Sequence, residues 1–126
     1  VERASEDPYV VHTIGKMQTQ VSTAEAILDR AIDIRFAALE DLSAESRDRA
    51  SVAAAQAKIV TGQAALDVSE LLFQVCGTGS VLEALGYDRH WRNARTLTLH
   101  DPVNYKIKLV GDYVLNGVPP PISVYT

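Results

Sequence analysis

The chain has 126 residues, which suits one domain with one core. Apolar residues make up 47% and charged residues 22%, the balance of a soluble globular protein. A net charge of −4 and a pI of 5.3 argue against nucleic acid or an anionic membrane as the main partner.

No apolar run approaches the ~20 residues of a transmembrane helix. The first ten residues mix charges with a proline, so no signal peptide is expected. A single cysteine, Cys76, precludes an internal disulfide and fits the cytoplasm. His12, His90 and His100 share no ligand spacing with one another or with Cys76, so no metal site is expected. The first residue is Val1 rather than methionine, which suggests a piece of something larger.

In chain order, Asp7-Pro8 is a helix start, with Asp as cap and Pro at the first helical position. Val10, Ile14, Met17, Val21, Ala24, Leu28 and Ala31 then alternate steps of four and three. This spacing predicts one helix over 8–42, with that stripe in the core. Ser43 is a cap for a second helix. There Ala57, Val60, Ala64, Val68, Leu71 and Val75 form the stripe, and the many alanines allow a neighbouring helix to approach closely. "CGTGS" (76–80) stops it, because glycine accepts the backbone conformations a helix end needs.

"VLEALG" is a short helical turn closed by Gly86, and "DRHWRNARTLTL" a third helix. Asp101-Pro102 restarts the chain, since a residue before proline is pushed out of the α region. Val103, Ile107, Val110 and Val114 mark the last helix, which Asn116-Gly117 ends. Three prolines make "VPPPISVYT" an exposed extended tail. No stretch alternates with period two, so the expected fold is all-α: an up-down four-helix bundle over 1–117, followed by the tail at 118–126.

Three places could carry chemistry. The glycines of "QVCGTGS" permit an anion to approach the backbone, or simply cap a helix. Arg89, Arg92 and Arg95 recur every third residue, giving either a cationic face for a phosphate or a solvated helix with local ion pairs such as Asp88–Arg92. Trp91 between them reads as buried packing. His100 can move protons near neutral pH or serve as a junction residue, and Asp101 reads as the N-cap of the last helix. Cys76 has no basic partner near it in sequence, so a thiolate nucleophile is not expected.

Four stretches, "DPYVVHTIGKMQTQVSTAEAIL", "FQVCGTGS", "DRHWRNARTLTLHDPVNYK" and "VGDYVLNG", together resemble the C-terminal helical domain of acyl-CoA dehydrogenase-fold flavoproteins. The branch resembled most is the reduced-flavin-dependent monooxygenases, which include the dibenzothiophene monooxygenases and related sulfur-acquisition oxygenases. The resemblance runs from Asp7 to Gly117 and is most specific in "RHWRNART-x-TLHDPV" followed by "G-x-Y-x-LNG".

This resemblance implies the last third of a larger flavoenzyme that assembles as a dimer or tetramer through its bundles. It implies reduced FMN supplied by a separate flavin reductase, and O₂ used on a small apolar substrate, a sulfur compound being one candidate class. Against the family's Q-x-x-G-G-x-G cofactor loop, Gln74, Gly77 and Ser80 match, and Thr78 replaces the second glycine. Arg92, Ala94 and Arg95 match its R-x-A-R/K step, which makes Arg92 a further cofactor contact. His100 matches the second histidine of the branch's T-H-T-L-H-D-P motif, which faces the reactive edge of the flavin; the first is Leu97 here. Asp101 falls where dehydrogenases carry their catalytic glutamate. The alternatives are therefore the corresponding domain of an FAD-dependent acyl-CoA dehydrogenase, or a stand-alone helical oligomerisation module without flavin.

Overall fold

The structure, a computed structural model, describes residues 3–124. Four α-helices carry the fold: α1 (Pro8–Glu40), α2 (Ala44–Cys76), α3 (Asp88–His100) and α4 (Val103–Asn116). Short 3-10 turns lie at Ala4–Glu6, Thr78–Val81 and Glu83–Leu85, and no strand occurs among the described residues. The all-α, four-helix expectation holds.

The helix ends follow local chemistry. The Asp7 carboxylate accepts from the Tyr9 and Val10 amides, with Pro8 opening α1. The Ser43 hydroxyl accepts from the Ser46 amide and starts α2. Gly77, Gly86 and Gly117 all take positive φ where a helix or turn stops.

α1 and α2 form an antiparallel hairpin about 50 Å long, at ~1.5 Å per residue. Alanines make its core: Ala53 is 1% exposed and packs with Ala31, Ala57 and Ile34. α2 is the hub, in contact with α1, α3 and α4, while α1 packs chiefly on α2. A second line on α2, through Val52, Ala55, Leu66 and Ser69, is more buried than the stripe read from the sequence. It passes through Gly62, where an added Cβ would stand 3.3 Å from Thr98 Cγ2 of α3. Glycine there lets α3 lie close.

α3 and α4 follow one another back along α2. His90 shares a groove with Val68 and Leu72, Thr98 meets Gly62, and Asp101 meets Lys58. Beyond α4, the Pro120 carbonyl meets Arg47 near the start of α2. The break between α3 and α4 therefore falls midway along α2.

Two expected core stripes are only partly covered. On α1, Ile14 is 48% and Leu28 45% exposed, because α1 has a close neighbour on one side only. The sheltered line of α1 instead runs through Val10, Thr13, Met17, Ala24, Ile27, Ala31 and Ile34. On α4, Ile107 and Val114 face outward and Lys106 is buried. The inward line there is Val103, Lys106, Val110 and Tyr113.

The tail departs at one point from the exposed extended segment expected from the sequence. Residues 118–122 carry no regular structure, yet Pro120 is buried and its carbonyl accepts from Arg47 Nη2 at 2.7 Å. Proline offers no donor, but its carbonyl remains a strong acceptor for a guanidinium. Tyr125 and Thr126 of the expected tail, and Val1 and Glu2, lie outside the described residues.

Candidate functional site

His100 is the last residue of α3. Pro102 has no amide hydrogen and forces Asp101 out of the helix, to φ −123° and ψ 93°. The break leaves His100 exposed on a groove of about 540 Å³. Pro102, Tyr105 and Leu109 of the α4 side and Val118 to Pro121 of the tail supply most of its walls.

Asp101 does not cap α4. Pro102 occupies the cap position, without a side-chain bond to the helix. The Asp101 carboxylate instead accepts from Lys58 Nζ at 2.7 Å and Lys106 Nζ at 3.2 Å. Lys58 Nζ also donates to the Asp101 backbone carbonyl at 2.7 Å. Two ammonium donors outcompete neutral amides for one carboxylate. The hydrogen bond from Lys58, reinforced by the one from Lys106 and by both charges, lowers the Asp101 pKa below its ordinary value, with partial desolvation opposing. Asp101 is thereby held as a stable anion, a weak base.

The glycine loop stands elsewhere. Gln74 lies exposed on the last turn of α2, and Gly77 ends that helix with φ 72° and ψ −169°. No other atom comes within 4 Å of where a Cβ would stand at Gly77 or Gly79, so the loop's surface is open. Thr78 is exposed. Ser80 is 3% exposed, and its hydroxyl donates to the Gly77 carbonyl at 2.5 Å. A longer contact of 3.4 Å runs to the Phe73 carbonyl. Ser80 thus shapes the loop from inside, unlike its neighbours.

Arg92 projects from α3, held by Asp88 at 2.6 Å, and stays largely solvated. Trp91 is exposed rather than buried, and Arg95 lies over its ring at 5.9 Å. Leu97 faces a different groove from His100, one shared with Leu28, Ala57 and Ile122. Cys76 is exposed and unpaired. Among the described residues, no group of three His, Cys, Asp or Glu could hold a metal, and no helix is long and apolar enough to cross a membrane.

The structure therefore does not gather the sequence candidates into one place. Lys58 marks the His100 corner and Gln74 the glycine loop, about 24 Å apart along α2 at ~1.5 Å per residue. Arg92 lies on α3 between them. Lys58, Lys106 and Arg47 were missed from the sequence. The one available signal was Lys106, which falls between Val103 and Val110 on a helical line that packs inward.

The family model described as "Acyl-CoA dehydrogenase, C-terminal domain" matches residues 1–105. A dibenzothiophene monooxygenase of Mycolicibacterium goodii is 41% identical over 119 residues, covering 92% of this chain and 29% of that protein. A probable FMNH2-dependent monooxygenase, SfnC, of Pseudomonas putida is 36% identical over 126 residues, covering 98% and 32%. The crystal structure of FMN-bound TdsC from Paenibacillus sp. A11-2 superposes with a TM-score of 0.91 at 37% identity, covering 100% of this chain and 32% of that one. The chain thus spans about a third of the length of the relatives it matches.

Proposed function

The chain belongs to the acyl-CoA dehydrogenase C-terminal domain family, and on that premise we propose that it serves a monooxygenase using reduced FMN and O₂ on a small apolar substrate. The substrate class would include sulfur compounds, as the names of its relatives suggest. The observation that carries the reading is His100, which lines a largely apolar groove beside a helix break that an ion-pair cluster secures.

The side chains fit a flavin by their chemistry. The open glycine backbone beside Gln74 and Thr78 and the solvated Arg92 suit a phosphate. The groove at His100 suits a ring that must be shielded from water. When bound, reduced FMN supplies the two electrons that split O₂, one oxygen going to the substrate and the other to water. His100 holds or moves a proton where that oxygen is transferred. The prolines of the tail, anchored by Arg47, help exclude water.

The two regions stand about 24 Å apart along α2, at ~1.5 Å per residue. In an oligomer, the loop and His100 of one copy would then serve different flavins. The uncovered face of α1, with Ile14, Leu28, Ile32 and Leu39, supports assembly through these helices. A flavin reductase would be the remaining partner. Asp101 weighs against the dehydrogenase alternative: a carboxylate held by two lysines is a poor acceptor for an α-proton.

The test is His100→Ala in the intact enzyme, supplied with reduced FMN, O₂ and dibenzothiophene as probe. Product formation should fall by roughly 10²–10⁴-fold, with more hydrogen peroxide released per flavin consumed. Unchanged product per flavin would overturn the role of His100.

A further inference from the structure

We infer that Lys58 is a positioning residue: by gripping Asp101 at the α3–α4 break, it sets where His100 stands on its groove. The inference rests on the reading of His100 as the working residue.

Local backbone chemistry leaves this joint loose. Pro102 removes an amide donor, Asp101 has left the α region, and α4 begins with no side-chain cap. Lys58 supplies the missing constraint from α2, the helix that the rest of the chain packs against. Its ammonium holds both the main chain and the side chain of Asp101, each at 2.7 Å. The backbone bond matters most, because a carboxylate can swing while a carbonyl one peptide from His100 cannot. Lys106 closes the cluster from α4, so three helices meet on one aspartate.

A role in stability alone accounts poorly for this choice of residues. Lys106 is 7% exposed, and replacing a buried ion pair by apolar side chains of similar volume is often neutral for stability. What apolar residues would not supply is a directional bond to the Asp101 carbonyl. Asp101 is an anion across the neutral range, and the two ammonium groups keep it charged into more acidic solution than an ordinary carboxylate.

The test compares Lys58→Met, which keeps the stem and loses the charge, with Lys58→Arg, which keeps both. In the intact enzyme, amide hydrogen exchange at Leu99 and His100 should quicken at least about tenfold in Lys58→Met relative to exchange at Ala53 in the core. Lys58→Arg should stay within about threefold of wild type. In the intact enzyme, at a temperature where both variants are folded, Lys58→Met should lower kcat by roughly 10–100-fold with little change in KM for reduced flavin, and Lys58→Arg should restore it. Unchanged exchange at His100, acceleration shared equally by Ala53, or normal kcat beside an inactive His100→Ala variant would each overturn the inference. Local loosening in Lys58→Met together with full activity in His100→Ala would sink the reading of His100 and leave the grip on this corner standing.

Discussion

The His100 corner and the glycine loop both follow the end of a helix, but opposite means hold them. At the corner, long-range charges fix the chain: Lys58 and Lys106 converge on Asp101, and α4 starts without a side-chain cap. At the loop, the backbone does the work. Gly77 takes a conformation open to glycine, and Ser80 folds its hydroxyl back onto the Gly77 carbonyl. A charge cluster aims one side chain at one point, as proton chemistry requires. An open backbone turn presents a surface, as contact with a phosphate or ribityl chain requires.

The contrast can be broken by substitution, beginning at the corner, where stability is coupled to charge. Asp101→Ala strips the partner from a buried lysine and should cost about 2 kcal/mol, read as a lowered Tm. The same carboxylate predicts a response to acid. Its folded-state pKa lies below its unfolded value, so its contribution is complete above the ordinary carboxylate range and fades as pH falls through the folded value. Wild type should therefore lose stability on acidification more steeply than Asp101→Asn, as measured by thermal melts across that range.

A loss of comparable size but different origin is expected at the loop. Gly77→Ala meets no neighbouring atom, so its cost is the strained backbone alone, about 1–3 kcal/mol and insensitive to pH. Thermal melts at neutral and acidic pH would check both statements. Arg92→Ala should change stability least, by under ~0.5 kcal/mol, because its pair with Asp88 is solvated. If Arg92 faces a flavin phosphate, the same substitution should still weaken FMN binding to the intact enzyme about tenfold, as followed by flavin fluorescence.

These two regions were not equally legible in the sequence. The loop is local: the glycines, the helix end and the turn lie within a few residues of one another, and they read correctly as a stop. The caps at Asp7 and Ser43 were legible for the same reason. The corner was half legible. Asp-Pro announced the break, but Lys58, the partner that holds both the main chain and the side chain of Asp101, lies 43 residues upstream, and no local pattern encodes that pairing. Asp101 was read as a cap because caps are local. Periodicity likewise found the helices but not their covered sides. Ile14 and Ala24 share a stripe, and only the placement of α2 decides that Ala24 is more sheltered. Gln74, Thr78 and Arg92 stand exposed where a ligand could reach them, whereas Ser80 is turned inward by hydrogen bonds that motif matching does not reveal.

The proposed function divides the labour: the corner would act in the chemistry and the loop in holding the cofactor. The most direct test is the amount of substrate oxygenated per reduced FMN consumed, measured against FMN concentration for His100→Ala and Gly77→Ala in the intact enzyme. The account predicts that His100→Ala lowers this ratio even at saturating FMN, whereas Gly77→Ala requires more FMN and then recovers the wild-type ratio. Identical behaviour of the two variants, or recovery by His100→Ala at high FMN, would contradict it.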